Sequence, residues 1–375
     1  MEFICNKNEL IEAISNVSLA SVVRSAMPIL EGVYLEVKED ATLTVLSFNL
    51  QMGISKTLGL SLAKPGKIVI KASLLSNIIT KMPDAPLHFT VNEKNLVTIS
   101  CGFVEFTISG MDASAYPQLP LVKADSRFGI PQNILYNMLE QTLFASPAME
   151  QSGTNNGVLF QIHDHLLTIV TLDGYRLALR REEVSVDEDI KVKIPAKTLS
   201  DLMKILAKLS AATKEDANVA ITISDSHLLF DVEGYEIVSR LAEGEFIDYQ
   251  KVIPSDCSTE LRVKVRDLQN SLTRASIIIN EKTKSAIKCT VSDQNMNIYC
   301  DTPLGRINED LPITQQGKDL RFGFNNRYMM DALKACDSDE VKITLKTPLS
   351  PIQFLPPDGD HFLFLVLPIR LKDDE

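Results

Sequence analysis

Hydrophobic and polar positions follow two rhythms along this chain. Six stretches place apolar residues three or four apart, the spacing of one helix face. Residues 8–14, 134–139 and 268–272 form one type, with stripes of Leu10 and Ile14, Leu135 and Leu139, and Leu268 and Leu272. Residues 72–79, 196–203 and 325–333 form a second, carrying Leu75 and Ile79, Leu199 and Leu202, and Met329 and Leu333. Between them, residues 43–48, 97–101, 103–108, 219–223, 228–232, 298–301 and 341–345 alternate with a period of two. Bounded by Gly, Asp, Asn or Ser, these segments predict strands joined in hairpins.

The second helix type recurs at near-constant intervals: Ala72 to Ala196 is 124 positions, and Ala196 to Asn325 is 129. The first two units also end alike, with Tyr116 ahead of Pro120 and Tyr249 ahead of Pro254, each Tyr expected to anchor a turn. The repeat predicts three tandem units, 1–122, 127–254 and 258–375, each with two helices and about eight strands. Two helices cannot cover both faces of two sheets. The fold class is therefore α+β, with the helices on one side of antiparallel sheets. Such units in series make a curved array, helices inside and sheets outside, whose terminal strand edges need capping or pairing with a second copy.

Composition changes this picture in one respect. Over 375 residues, 45% hydrophobic and 23% charged residues describe an ordinary globular chain. A net charge of −11 excludes a protein that is basic all over. Yet the helical stretches 7–20, 71–81, 131–145, 195–211, 262–275 and 324–335 together carry +6, leaving −17 on the remainder. A basic surface on one set of elements, in a chain with no Trp to stack on bases, suits contact with duplex phosphates. The most apolar stretch, 362–369, is far shorter than the ~20 residues a membrane helix needs, so no membrane partner is expected. The first residues lack the apolar core of a secretion signal, and a cytoplasmic location is expected.

Candidate chemistry is sparse. Cys5, Cys101, Cys257, Cys289, Cys300 and Cys336 are scattered without a Cys-x-x-Cys pair and are expected to be reduced packing residues. His163 and His165 flank Asp164 in what reads as a polar hairpin turn, with no further ligand nearby for a metal. No phosphate-binding glycine loop, nucleophile elbow or zinc-protease motif occurs, and neither cofactor, metal nor catalytic residue is expected. The segment from Thr171 to Ala178 stands apart: an Asp173-Gly174 turn followed by Tyr175 and Arg176 sets a cationic, aromatic edge beside an apolar wall. The run 362–371 completes the last unit as a strand, and also offers an apolar groove edge ending in Pro368 and Arg370, suited to an apolar peptide. On the residues alone, a repeat scaffold that never touches DNA and a hydrolase using Asp173 and Arg176 remain as other readings.

At these residues the chain resembles the beta subunit of bacterial DNA polymerase III, the replicative sliding-clamp family. The resemblance spans the whole length and rests on residues 173–178, Phe246 to Pro254, Asn280-Glu281-Lys282, Gly323-Phe324-Asn325 with Tyr328, the terminal 367–371, and Met27 to Leu30 after Arg24. It implies a DNA clamp fold forming half of a ring. A head-to-tail homodimer would encircle double-stranded DNA without sequence preference and would have no catalysis of its own. The implied partners are the replicative polymerase alpha subunit, a clamp loader complex, and other polymerases and repair proteins carrying short clamp-binding peptides.

Carried over by position, the resemblance implies a peptide cleft of Leu172, Gly174, Tyr175, Arg176, Leu177, Ile247, Val252, Asn325, Tyr328, Leu365, Val366, Leu367, Pro368, Ile369 and Arg370. Arg24 matches a DNA contact of the family. Lys71, Lys81, Lys197, Lys204, Lys208, Arg266 and Arg274 join it through their place on helices. At the ring seam Phe106 is expected to meet Ile277 and Ile278 of the partner subunit. Three departures bear on peptide preference: Leu172 interrupts a Thr-Asp pair common in the family, and Ile247 and Lys251 replace a common Pro and Arg. The tail 372–375 runs past the usual terminal Arg-Leu and is expected to fray.

Overall fold

The computed structural model describes residues 1–147, 157–210, 217–279 and 286–371. Among them are six α-helices: α1 Lys7–Val17, α2 Ala72–Lys81, α3 Gln132–Leu143, α4 Ala196–Ser210, α5 Val265–Ser276 and α6 Asn326–Lys334. All six lie where the apolar spacing predicts. In α1 the Asn6 side chain accepts from the Asn8 and Glu9 amides, satisfying two donors that the first turn leaves open. Its stripe of Leu10, Ala13, Ile14 and Val17 is fully buried. Asn325 caps α6 in the same way through the Arg327 and Tyr328 amides. No described helix is long and apolar enough to cross a membrane.

The described strands form four antiparallel sheets within two compact units. The first unit comprises Met1–Leu135 with Asp201–Leu241. Its eight-stranded sheet runs Ser126–Pro131, Asn218–Ile223, His227–Val232, Tyr235–Arg240, Met52–Gly59, Thr42–Phe48, Gly32–Val37 and Gly66–Lys71. Its five-stranded sheet runs Leu62–Lys64, Glu2–Cys5, Leu87–Val91, Leu96–Cys101 and Val104–Ser109. The second unit comprises Tyr136–Ser200 with Ala242–Glu375. Its nine-stranded sheet runs Ile190–Pro195, Gly157–His163, Leu166–Leu172, Arg176–Glu183, Phe362–Val366, Ile352–Leu355, Glu340–Leu345, Thr259–Lys264 and Thr314–Gly317. Its four-stranded sheet runs Gly305–Pro312, Asn295–Thr302, Ile287–Ser292 and Leu320–Phe324.

Compact units and sequence repeats therefore divide the chain differently, and the large sheets are the reason. In the first unit, Tyr235–Arg240 of the middle repeat pairs with Met52–Gly59 of the first, with Tyr235 opposite Lys56 and Ile237 opposite Ile54. In the second unit, Arg176–Glu183 of the middle repeat pairs with Phe362–Val366 of the third, with Leu177 opposite Leu365 and Leu179 opposite Leu363. A sheet shared by neighbouring repeats outweighs the repeat boundary in defining a compact body, and two of the three boundaries between the units fall inside α3 and α4, the third after Leu241.

The final strand expected over 362–371 forms over Phe362–Val366 only, and its apolarity has a physical cause. It lies in the interior of the nine-stranded sheet with both faces covered, so all five residues are buried. Alternate side chains serve different cores: Phe362, Phe364 and Val366 enter one cluster, Leu363 and Leu365 another. Tyr116 accepts the Phe48 amide at 2.9 Å, and Tyr249 is buried beside Leu363 and Leu365. The His163–His165 segment is a tight hairpin turn with Asp164 and His165 at φ +49° and +60°. The Asp189 carboxylate beside His163, and after it Asp164, hold that imidazole's pKa above its usual range. All six cysteines are free, and burial raises the Cys5 thiol to about 12.

Candidate functional site

The turn after the strand Leu166–Leu172 is built by Asp173. Its Oδ1 accepts the amides of Tyr175 and Arg176 at 3.0 and 3.1 Å, and Gly174 takes φ +87°, where a side chain would be strained. The remaining oxygen, Oδ2, accepts from Arg176 Nε at 2.9 Å, while Arg176 Nη1 donates to Asp331 of α6 at 2.5 Å. The Arg176 side chain is only 9% exposed. Its guanidinium lies 4.7 Å from the centre of the Tyr328 ring and 5.6 Å from that of Phe144. Tyr175 stacks on Tyr328 with ring centres 5.9 Å apart. Burial, and after it the Asp173 carboxylate, pushes the Tyr328 phenol up.

Beside this turn lies an apolar cavity of about 180 Å³. Leu172, Gly174, Tyr175, Arg176, Leu177, Ile247, Val252, Leu365 and Leu367 line it, nine residues that the resemblance assigns to the cleft. Strand pairing explains the convergence, because Leu177 and Leu365 sit opposite each other. Pro351 also lines the cavity and was missed. It precedes the strand Ile352–Leu355, and only that strand's place beside Phe362–Val366 brings it in, a non-local fact with no motif to signal it.

The other assigned cleft residues do not line the cavity. Val366 is fully buried on the opposite side of its strand, a correction that follows from strand alternation. Asn325 is occupied as the α6 cap, and Tyr328 backs Tyr175 and Arg176. Ile369 donates its amide to Gly323 at 2.7 Å, Pro368 is half-buried, and Arg370 is exposed. Arg176 forms the expected cationic edge against Tyr328, and it is also held between two carboxylates that tie the turn to α6.

All eight candidate DNA-contact cations are exposed. Several are held by neighbours. Lys71 pairs with Glu31 at 3.2 Å, Lys204 with the buried Asp201 at 2.9 Å, and Arg274 Nε with Glu309 at 3.0 Å. Lys208 donates to Asn16 of α1 at 2.7 Å. Glu31 also accepts the Ser25 amide, which fixes the loop bearing Arg24; the Lys71 bond, and after it the Ser25 bond, holds its carboxyl below the usual range. Phe106 stands 39% exposed on Val104–Ser109, an outer strand of its sheet. Ile277 is 78% exposed after α5, whereas Ile278 packs partly into its own core, and the exposed Phe103 and Leu304 were missed. The motif 280–282 and the tail 372–375 lie outside the described residues. Among the described residues no group of His, Cys, Asp and Glu could hold a metal ion.

Three family models match this chain consecutively: the N-terminal, central and C-terminal domains of the DNA polymerase III beta subunit, over residues 1–120, 129–248 and 250–370. The chain belongs to that family. The Beta sliding clamp of Bacillus subtilis is 29% identical over 99% of this chain and 100% of its own. The solved DNA polymerase sliding clamp of Bacillus subtilis superposes with a TM-score of 0.93 at 27% identity, covering 99% of this chain and 100% of that one. The sliding clamp of Pseudomonas aeruginosa, solved bound to griselimycin, gives 0.92 at 25% identity over 99% and 100%. Family membership makes the architecture three tandem clamp domains, six helices packed on antiparallel sheets, and gives the chain a sliding-clamp role in DNA replication.

Proposed function

We propose that two copies of this chain close head to tail into a ring around duplex DNA and tether the replicative polymerase to its template. The three clamp domains are taken as 1–122, 127–254 and 258–375. The full-length correspondence to sliding clamps carries this reading. The outer strands Val104–Ser109 and Gly305–Pro312 each have one edge without a partner strand among the described residues, which the partner subunit would satisfy, with Phe106 against Ile277 and Ile278 of the partner subunit. Exposed cations on the helices of each unit would meet phosphates diffusely; base-specific contacts would pin a protein that must slide. The cavity beside Tyr175 would take apolar side chains from short peptides of the polymerase alpha subunit, the clamp loader and repair proteins. No catalytic step and no cofactor is assigned, and the site of action is the nucleoid in the cytoplasm.

A topology experiment tests the reading. The chain is loaded onto nicked circular DNA by its cognate loader with ATP, the loader is removed, and the circle is then cut. Retention on the circle in high salt and loss on linearisation are expected. Equal loss from both forms, with loader activity verified on a known clamp, would reduce the protein to an electrostatic binder.

A further inference from the structure

The segment 367–371 leaves the nine-stranded sheet and is tied down at two alternate amides. Leu367 N donates to the Tyr175 carbonyl at 2.8 Å, on the turn that borders the cavity. Ile369 N donates to the Gly323 carbonyl at 2.7 Å, on the strand Leu320–Phe324. Pro368 between them has no amide proton to satisfy. That strand pairs on its other side with Ile287–Ser292, so the segment covers an edge that the four-stranded sheet leaves open.

The approach at Gly323 is close. A Cβ there would lie 2.8 Å from the Ile369 carbonyl oxygen and 2.5 Å from Leu371 Cδ2. The leucine tip could swing away; the carbonyl belongs to the backbone and moves only if the whole segment moves. Gly323 is not among the glycines with positive φ, so what the position demands is space.

We infer that Gly323 is a positioning residue of the peptide cleft: it seats the C-terminal segment, and the seat holds Leu367 in the cavity wall. Leu367 is 39% exposed there, directly before the anchored Pro368-Ile369 step. This rests on the cleft reading above and adds a residue buried outside the cavity to the machinery that shapes it.

The test uses the full chain and two readouts. The first is amide hydrogen exchange of the 367–371 segment, and the second is anisotropy of a fluorescein-labelled Ser-Leu-Ala-Leu-Phe peptide. Gly323→Ala is expected to expose the segment to exchange, leave exchange elsewhere unchanged, and weaken peptide binding about tenfold or more. Ile369→Pro, which removes the donated proton without touching Leu320–Phe324, is expected to do the same and covers the case of a Gly323→Ala chain that does not fold. Leu371→Ala in the Gly323→Ala background is expected to recover part of the binding by removing one close contact. Unchanged exchange in Gly323→Ala, or a freed segment with undiminished peptide binding, would overturn the inference. A wild-type chain that ignores the peptide would instead overturn the cleft reading, while exchange still decided whether Gly323 is the seat.

Discussion

The two seams that join consecutive repeats use the same device, an antiparallel strand pair, and are finished in opposite ways. At the first, Tyr235 is fully buried. Its hydroxyl accepts from Asn16 at 2.9 Å and donates to Glu12 at 3.1 Å, and the Lys56 ammonium lies 4.2 Å from its ring centre. Burial drives the Tyr235 phenol upward, and burial likewise lowers Lys56. At the second, Arg176 and its two carboxylates occupy one side, and beside them an apolar cavity stays open with Tyr175 57% exposed. One seam is filled with a satisfied polar network; the other keeps apolar surface available. The shared architecture joins the repeats, and side-chain choice at each seam decides whether it is filled or leaves a cavity.

The largest effect expected from breaking this contrast is at the second seam. Arg176→Ala leaves Asp173 and Asp331 without their cation and should cost about 3–5 kcal/mol in urea unfolding. It should also abolish peptide binding while size-exclusion chromatography still shows a dimer; a monomer would mean that Arg176 is misplaced. Deleting residues 368–375 should likewise remove peptide binding and keep the dimer. At the first seam, Tyr235→Phe strands the Asn16 amide and should cost about 1–2 kcal/mol, with peptide affinity unchanged in the same anisotropy assay.

A smaller change is expected at the DNA surface. Reversing Lys197, Lys204 and Lys208 to Glu should shorten retention on circular DNA, and Lys208→Ala alone should flatten the salt dependence of binding by about one phosphate contact. Unaltered retention in the triple variant would favour a scaffold that never touches DNA. The smallest effect is with pH. The Arg274 hydrogen bond holds the Glu309 carboxyl below the usual carboxylate range, so its stabilisation is present above that range. It is lost as pH falls through the lower folded value. Urea midpoints measured from pH 6 to pH 3 should therefore fall slightly more steeply for the wild type than for Glu309→Gln.

Local signals were readable in the sequence, and pairings were not. The stripe of Leu10, Ile14 and Val17 and the cap at Asn325 need only neighbours within a turn or two, so periodicity located α1 and α6. Pro351 enters the cavity only because two strands distant in sequence from Arg176 lie in one sheet with it. The burial of Val366 depends on strand parity, which an unbroken apolar run conceals. Pairing of Lys71 with Glu31, and of Arg274 with Glu309, joins different elements, so counting charge on the helices alone left out the carboxylates that these exposed cations meet. The turn at Asp173 was legible as chemistry, yet the second carboxylate on Arg176, Asp331, lies 155 positions beyond that arginine.

The interior position of the strand Phe362–Val366 has a consequence for the chain's synthesis. Its neighbours in the sheet, Arg176–Glu183 and Ile352–Leu355, both emerge from the ribosome before it does. The eight-stranded sheet needs nothing beyond Arg240, but the nine-stranded one keeps two unsatisfied inner edges until Phe362–Val366 is made. A product that stops before Phe362 would carry those sticky edges permanently, exposed to aggregation and to cellular proteases. Closure of the larger sheet is thus coupled to synthesis of Phe362–Val366, the last of its nine strands to be made.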